Sequence, residues 1–260
     1  MKLIRTLCLA FSMYSRIPMP ILEYTEDDMR YTFLAFPLIG AVIGALQYGW
    51  YILYEMLGVG TTLYAVVAVA LPLCVTGGFH MDGYLDTTDA LSSHRERERK
   101  LEILKDSHVG AFAVIWTGVY LLVSYGFYTE ICDKTSILCV AAGFILSRAT
   151  SGLAAIHFPS ATGKSSLAYF AKASDRKVVK TGLWIWIILT LVSLICAEKV
   201  YGAAVLIILA AWYGYYYHMS KKEFGGITGD LAGWYLQTCE LCILGMIVFL
   251  PYLLRIINLF

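Results

Sequence analysis

Charge is scarce in this sequence. Only 15% of its 260 residues are Asp, Glu, Lys or Arg, whereas 59% are hydrophobic. A soluble domain of this size has no core large enough to hide so much apolar sequence. A water-soluble globule is therefore excluded, and the mean hydropathy of +0.67 points to a membrane protein. A basic stripe is also missing. The formal net charge is +1 and the cations are spread among several loops, so nucleic acid finds nothing to grip. There is no disulfide framework either: the seven cysteines are odd in number and lie mostly inside apolar runs. Cys239 and Cys242 form a CxxC, but within an apolar helix, and no second pair completes a metal site. No small-residue cleavage site follows the short apolar run at the N-terminus. Internal repeats are absent, and the polar segments, about 30 residues at most, are too short to fold alone. One membrane-embedded domain over residues 1–260 is expected.

What the sequence has is apolar runs. They cover about Thr32–Leu57, Thr61–Val75, Gly110–Thr129, Ile137–Phe158, Leu183–Ala197, Tyr201–His218 and Leu231–Leu254. Each is near the roughly 17–25 residues of a transmembrane helix, or slightly under. The expectation is an all-α polytopic protein with about seven spans, six to eight being the range. Ahead of them, Leu3, Leu7, Ala10 and Tyr14 fall on one helical face and Lys2, Arg5, Ser12 and Arg16 on another. That pattern fits an amphipathic helix lying in the interface, ended by Ile17-Pro18-Met19-Pro20; a plain tail is the alternative. Thr25-Glu26-Asp27-Asp28 reads as a capping box that starts a helix.

The loops set the orientation. Ser93–His108 holds Arg95, Arg97, Arg99, Lys100 and Lys105; Pro159–Thr181 holds Lys164, Lys172, Arg176, Lys177 and Lys180; Ser220–Asp230 holds Lys221 and Lys222. Two spans separate each from the next, so all three share one side with the N-terminus. The opposite turns hold only Lys134 and Lys199. Positive-inside bias puts the polar loops in the cytoplasm and leaves Arg255, beyond the last span, on the less favoured side.

One stretch stands out: Gly77-Gly78-Phe79-His80-Met81-Asp82-Gly83-Tyr84-Leu85-Asp86-Thr87-Thr88-Asp89. On a helix its carboxylates stack along one face. Like charges so placed call for a cation, a basic partner or a raised pKa. Two ionisable groups lie inside spans, Arg148 and Glu240, where charge is costly and defaults to function. They either neutralise each other, or Arg148 holds an anion while Glu240 faces the same polar cavity. Gly225-Gly226-Ile227-Thr228-Gly229-Asp230 lies at the mouth of the last span. It is either a turn with Asp230 as N-cap, or backbone amides and a helix N-terminus offered to an anion. Lys105-Asp106-Ser107-His108-Val109-Gly110 reads as a loop with a cap. Gly163-Lys164-Ser165 imitates the end of a P-loop, but no strand precedes it and its first glycine would fall at Phe158, so that reading fails. The charges of His94–Lys100 suit a solvated helical face, and the aromatics of Trp212–Tyr217 suit an interfacial belt.

Together these pieces resemble the cobalamin synthases, the adenosylcobinamide-GDP ribazoletransferases. Gly78-Phe79-His80-Met81-Asp82-Gly83 with Asp86 and Asp89 looks like the family's signature. Arg16-Ile17-Pro18, Phe36-Pro37-Leu38-Ile39-Gly40, Lys105-Asp106-Ser107 with Gly110-Ala111-Phe112, and Gly225–Asp230 with Glu240 resemble its other pieces in order. One departure is Pro159-Ser160-Ala161-Thr162, which lacks the Arg that often follows this proline in the family. The resemblance implies a magnesium-dependent transfer in a bacterial or archaeal cell membrane, with the active site facing the cytoplasm. A hydroxyl of α-ribazole, or of its phosphate, would attack adenosylcobinamide-GDP and release GMP. It further implies His80, Asp82, Asp86 and Asp89 as catalytic, with His80 assisting deprotonation of the ribazole hydroxyl. Lys105, Asp106, Arg148, Gly225, Gly226, Thr228 and Gly229 would bind substrate. Asp82, Asp86, Asp89, Asp230 and Glu240 would be metal ligands. The lipid bilayer is the expected surroundings, and homo-oligomerisation stays open. Two other readings compete. A CDP-alcohol phosphotransferase also sets carboxylates four residues apart at a membrane edge, but its Ala-Arg does not follow Asp82-Gly83. A cation-coupled transporter would put them near the midplane of repeated halves, whereas here they gather at one face.

Overall fold

Helices account for most of the described backbone because the apolar runs must bond their amides internally in a membrane. A computed structural model describes residues 2–20, 22–131, 133–163 and 165–257. Short N-terminal helices α1 (Lys2–Tyr14) and α2 (Glu26–Met29) lead into the first long one, α3 (Thr32–Leu57). Then come α4 (Thr61–Thr76), α5 (Phe79–Ser92), α6 (Arg97–Ile103), α7 (Ala111–Thr129) and α8 (Lys134–His157). The chain ends with α9 (Ser166–Ala173), α10 (Arg176–Ala197), α11 (Lys199–Phe224) and α12 (Gly229–Ile257). Among the described residues six helices, α3, α7, α8, α10, α11 and α12, are long and apolar enough to cross a membrane. The pair α4 and α5 reaches that length only together, and is bent by 97°. Gly77 and Gly78 make the bend, with φ of 64° and 77°, a left-handed pair that side chains with a Cβ rarely adopt.

α8 is the central helix. In its apolar stretch 78% of the residues are buried, against 17% in α7. It meets α3 backbone to backbone, where Gly40 lies against the Phe144 carbonyl and Gly44 against Ala141. Outward-facing Leu122, Ile188 and Ile207 are more than half exposed, the composition of a lipid-facing belt. The N-terminal helix docks on α3 with Tyr14 and Phe36 rings 4.5 Å apart, and Leu9 and Ala10 are buried. The expected basic face is partly used: Arg5 pairs with Asp28 at 3.1 Å. The Lys2 and Leu3 side chains fall outside the described residues. The capping box at Thr25 forms.

Polar connections meet at one end. Lys100 of α6 pairs with Glu223 at the end of α11, and Arg97 donates to the Lys222 carbonyl at 3.3 Å. Tyr169 of α9 reaches Glu26 at 3.2 Å, and Arg30 lies 3.5 Å from Asp175. At the other end Asp133 caps α8 through the Ser136 amide at 2.9 Å, and Tyr252 donates to Glu130 at 3.0 Å. The grouping of the basic loops on one side, deduced from charge, is thus built into the packing.

Candidate active site

α5 carries Asp82, Asp86 and Asp89 along one face and packs against the start of α12. Gly83 permits the contact: a Cβ there would sit 2.7 Å from the Asp230 carbonyl oxygen. Gly233 does the same from the other side, 2.9 Å from the His80 carbonyl. The close crossing sets Asp230 beside α5, where it interacts with Asp82 and Asp86. Asp89 lies against the backbone of Gly110. Four carboxylates from two helices therefore share one region.

Two of them, Asp82 and Asp230, line an open cleft of about 520 Å³ together with Lys105, Thr162, Ser165 and Thr228, among others, while Asp86 and Asp89 sit behind Asp82 along α5 and do not line it. Exposed Lys105 is the cation on its wall. The first turn of α12 opens into it, and its cap is Thr228, whose Oγ1 accepts from the Leu231 amide at 3.2 Å and donates to Asp230 Oδ2 at 3.3 Å. Asp230 is thus not the N-cap that the sequence suggested; with Thr228 holding the helix end, its carboxylate is left for the cleft. Among the described residues no three His, Cys, Asp or Glu side chains converge into a ready metal cage. A magnesium site needs none, because that ion takes one or two carboxylates plus substrate phosphates and keeps several waters. The donor set here, carboxylate oxygens with no thiol or imidazole among them, fits such a hard cation.

Several residues stand elsewhere than the sequence suggested. Arg148 and Glu240 hold each other: Arg148 Nη1 lies 2.6 Å from Glu240 Oε1, and Ser147 donates to the same oxygen at 2.8 Å. Arg148 is 1% exposed. A lone charge at this depth is expensive, so the substrate-binding role for Arg148 and the metal role for Glu240 give way to a structural ion pair. The Gly225 and Gly226 amides bond to the Lys221 and Ser220 carbonyls at 3.2 and 3.1 Å. Ile227 exchanges bonds with Pro159 and Ala161 at 2.8 and 3.0 Å. Both glycine amides therefore cap the end of α11 and are not free for an anion, while Ile227 pins the turn to the loop after α8; of that stretch Thr228, Gly229 and Asp230 line the cleft. Asp106 accepts from the His108 amide at 3.0 Å, which holds its carboxyl below the usual range. It caps a turn and does not line the cleft.

His80 also departs. Two residues from Asp82 on a helix, it points to roughly the opposite side. It is 3% exposed, its ring lies 5.7 Å from that of Phe36 and 5.6 Å from that of Phe79, and its Nδ1 has no partner. The geometry gives a proton-accepting role beside the carboxylates no support. Sequence reasoning missed Phe79, Thr162, Ser165 and Ser166 as cleft residues. The run of small hydroxyl residues from Ser160 to Ser166 was a signal, read only for its P-loop likeness; Lys164 within it falls outside the described residues.

Comparison with known proteins adds the family. The model of the family described as Cobalamin-5-phosphate synthase matches residues 6–248. A curated relative from Lachnoclostridium phytofermentans, named adenosylcobinamide-GDP ribazoletransferase, is 40% identical over 93% of this chain and 92% of its own. One of the same name from Clostridium perfringens strain 13 is 35% identical over 89% and 92%. A third, from Carboxydothermus hydrogenoformans, is 29% identical over 98% of each chain. No solved structure matches.

Proposed function

This chain belongs to the Cobalamin-5-phosphate synthase family, and we propose that its acidic cleft performs the adenosylcobinamide-GDP ribazoletransferase reaction for which its relatives are named. The chain is then an enzyme of cobalamin nucleotide-loop assembly. A ribose hydroxyl of α-ribazole, or of its phosphate, attacks the phosphorus on the cobinamide side of the pyrophosphate. The new P–O bond forms as the bond to GMP breaks, and the hydroxyl proton leaves to a base. GMP carries away the electron pair.

The residues divide this work. Lys105 faces the phosphates as a point charge, and the first turn of α12 aims its amide dipoles at the same place. Asp86, half-buried one helical turn behind Asp82 and crowded by Asp82, Asp230 and Asp89, takes the hydroxyl proton. Asp82 and Asp230, on facing helices at the cleft wall, would hold magnesium, with Asp89 completing the acidic face. Bound there, the ion would neutralise the pyrophosphate and the charge that grows on departing GMP. The three basic loops and the N-terminal segment that gather at this end support a cytoplasmic opening.

The observation that carries the reading is the meeting of Asp82, Lys105 and Asp230 in one open cleft, on pieces of chain about 150 residues apart. Purified protein is to be incubated with adenosylcobinamide-GDP and α-ribazole, with and without magnesium. GMP release only when the metal is added is expected. Release at the same rate in chelator would remove the metal assignment, and no release in any condition would reject the reaction.

A further inference from the structure

Beside the acidic cleft lies a second cavity of about 90 Å³ between α1, α3, α5, α8, α9 and α12. Its character is the reverse of the cleft's. Tyr14, Phe33, Phe36 and Phe170 wall it with aromatic rings. The one imidazole on its lining is that of His80, buried and with an unpartnered Nδ1. An unpaired polar atom so deep costs free energy unless a ligand or water meets it. The cavity and the cleft adjoin, since Phe79, Ser166, Leu167 and Gly229 line both. Phe79 is 57% exposed although apolar, so it is the side chain free to swing at the junction.

Resting on the ribazoletransferase reading, we propose that this cavity is the subsite for the bicyclic aromatic base of α-ribazole. Flat aromatic walls with few polar groups, the His80 imidazole and the Ser151 and Ser166 hydroxyls beside Tyr14, suit a heteroaromatic ring that stacks and forms a hydrogen bond, and His80, whose Nδ1 has no partner, supplies that bond to a ring nitrogen. A base seated here leaves its ribose at the Phe79–Gly229 junction, with the hydroxyl turned into the carboxylate cleft. The cavity is smaller than the about 150 Å³ that takes up benzene in a protein core. Entry of the base therefore requires Phe79 to rotate aside. His80 is then a positioning residue of the base site, which accounts for its burial away from Asp82 and Asp86.

The test uses full-length protein in detergent and varies the cavity wall at Ala155, which does not line the cleft, and at Leu167, which the cavity and the cleft share. Ala155→Leu fills the cavity. It should raise KM for α-ribazole at least tenfold and leave KM for adenosylcobinamide-GDP within twofold. Equilibrium dialysis of α-ribazole alone should show the same tenfold loss. Leu167→Ala enlarges the cavity and should shift preference at least fivefold toward a ribazole analogue with a tricyclic base. His80→Phe keeps the ring packing and should also weaken α-ribazole binding. If KM, dialysis and analogue preference in Ala155→Leu and Leu167→Ala match wild type while wild type releases GMP, the base site is wrong and the reaction stands. If wild type releases no GMP, the reaction is wrong, and unchanged dialysis in Ala155→Leu would dispose of the site as well.

Discussion

Glu240→Gln tests the most consequential reassignment. Arg148 Nη1 has three acceptors: Glu240 Oε1 at 2.6 Å, the Phe144 carbonyl at 3.0 Å and the Ser147 hydroxyl at 3.3 Å. Only the first carries charge. The amide that replaces the carboxylate can still accept a bond, but it leaves the guanidinium without a counter-charge on a side chain 1% exposed. Removing one partner of such a pair costs about 3–5 kcal/mol. That range overlaps the roughly 2.5–3.5 kcal/mol that insertion of an Arg at the centre of a membrane helix costs. At roughly 2–4 °C per kcal/mol for a chain of about this size, the melting temperature in detergent should fall by about 6–20 °C. Arg148→Met with Glu240→Leu should recover most of that loss, since an apolar pair of similar volume is often neutral or better. Thermal melting with a double-mutant cycle measures both. If Glu240→Gln melts within about 1 °C of wild type yet changes the magnesium dependence of GMP release, the ion-pair reasoning fails and Glu240 is a metal ligand.

Four further outcomes are expected. Gly83→Ala puts a methyl against the Asp230 carbonyl; it should destabilise by about 1–3 kcal/mol through overpacking and lower kcat by parting α5 from α12, as melting and GMP-release kinetics would show. Asp28 is held at about 2 by its bonds to Arg5 and the Thr25 amide. Its contribution to stability is full above the unfolded pKa near 3.9 and is lost as pH falls through about 2, so the stability gap between wild type and Asp28→Asn should be constant above about pH 5 and close toward pH 2 in pH-dependent melting. In a cysteine-free background, cysteines at Glu98, Lys172 and Lys222 should all react with an impermeant maleimide from the same membrane side; a split result would refute the shared face. Asp86→Asn removes one of four crowded charges, and should raise the melting temperature in magnesium-free buffer while abolishing GMP release; a lower melting temperature there would contradict the repulsion argument.

Much of the architecture was legible because hydropathy is a local property. The Thr32–Leu57 run is α3 to the residue, and the other runs differ mainly at their ends, where polar turns extend the helices. α10 begins at Arg176, seven residues before its apolar run, because Asp175 caps it through the Val178 amide at 3.2 Å. The short run before Gly77 was visibly short, and the 97° bend explains why: the span is broken there. What could not be read was pairing across distance. Nothing local decides whether Arg148 meets Glu240, 92 positions on, or a substrate. Nor does composition show that Gly225 and Gly226 use their amides on the chain itself. Two other facts were there to be read: the two-residue offset of His80 from Asp82 already placed it on the far side of α5, and Thr228 was itself a residue of capping type two positions before Asp230.

The acidic cluster began as a repulsive face in search of a cation, and the fold explains how such a face survives without one. Asp82 and Asp230 each stand in the first turn of their helix, where the macrodipole favours an anion by about 0.3–1 kcal/mol. Thr228 adds a donor to Asp230, and the open cleft keeps water against these two carboxylates. Asp86 has neither a first-turn position nor a donor of this kind, so it carries most of the unrelieved repulsion. The packing at Gly83 holds these groups together against that repulsion. A pyrophosphate entering alone would add to it, because the substrate is itself an anion and Lys105 is the one cation on the described cleft wall. In the reaction proposed above, substrate and divalent cation would therefore bind with positive coupling, each lowering the electrostatic cost of the other.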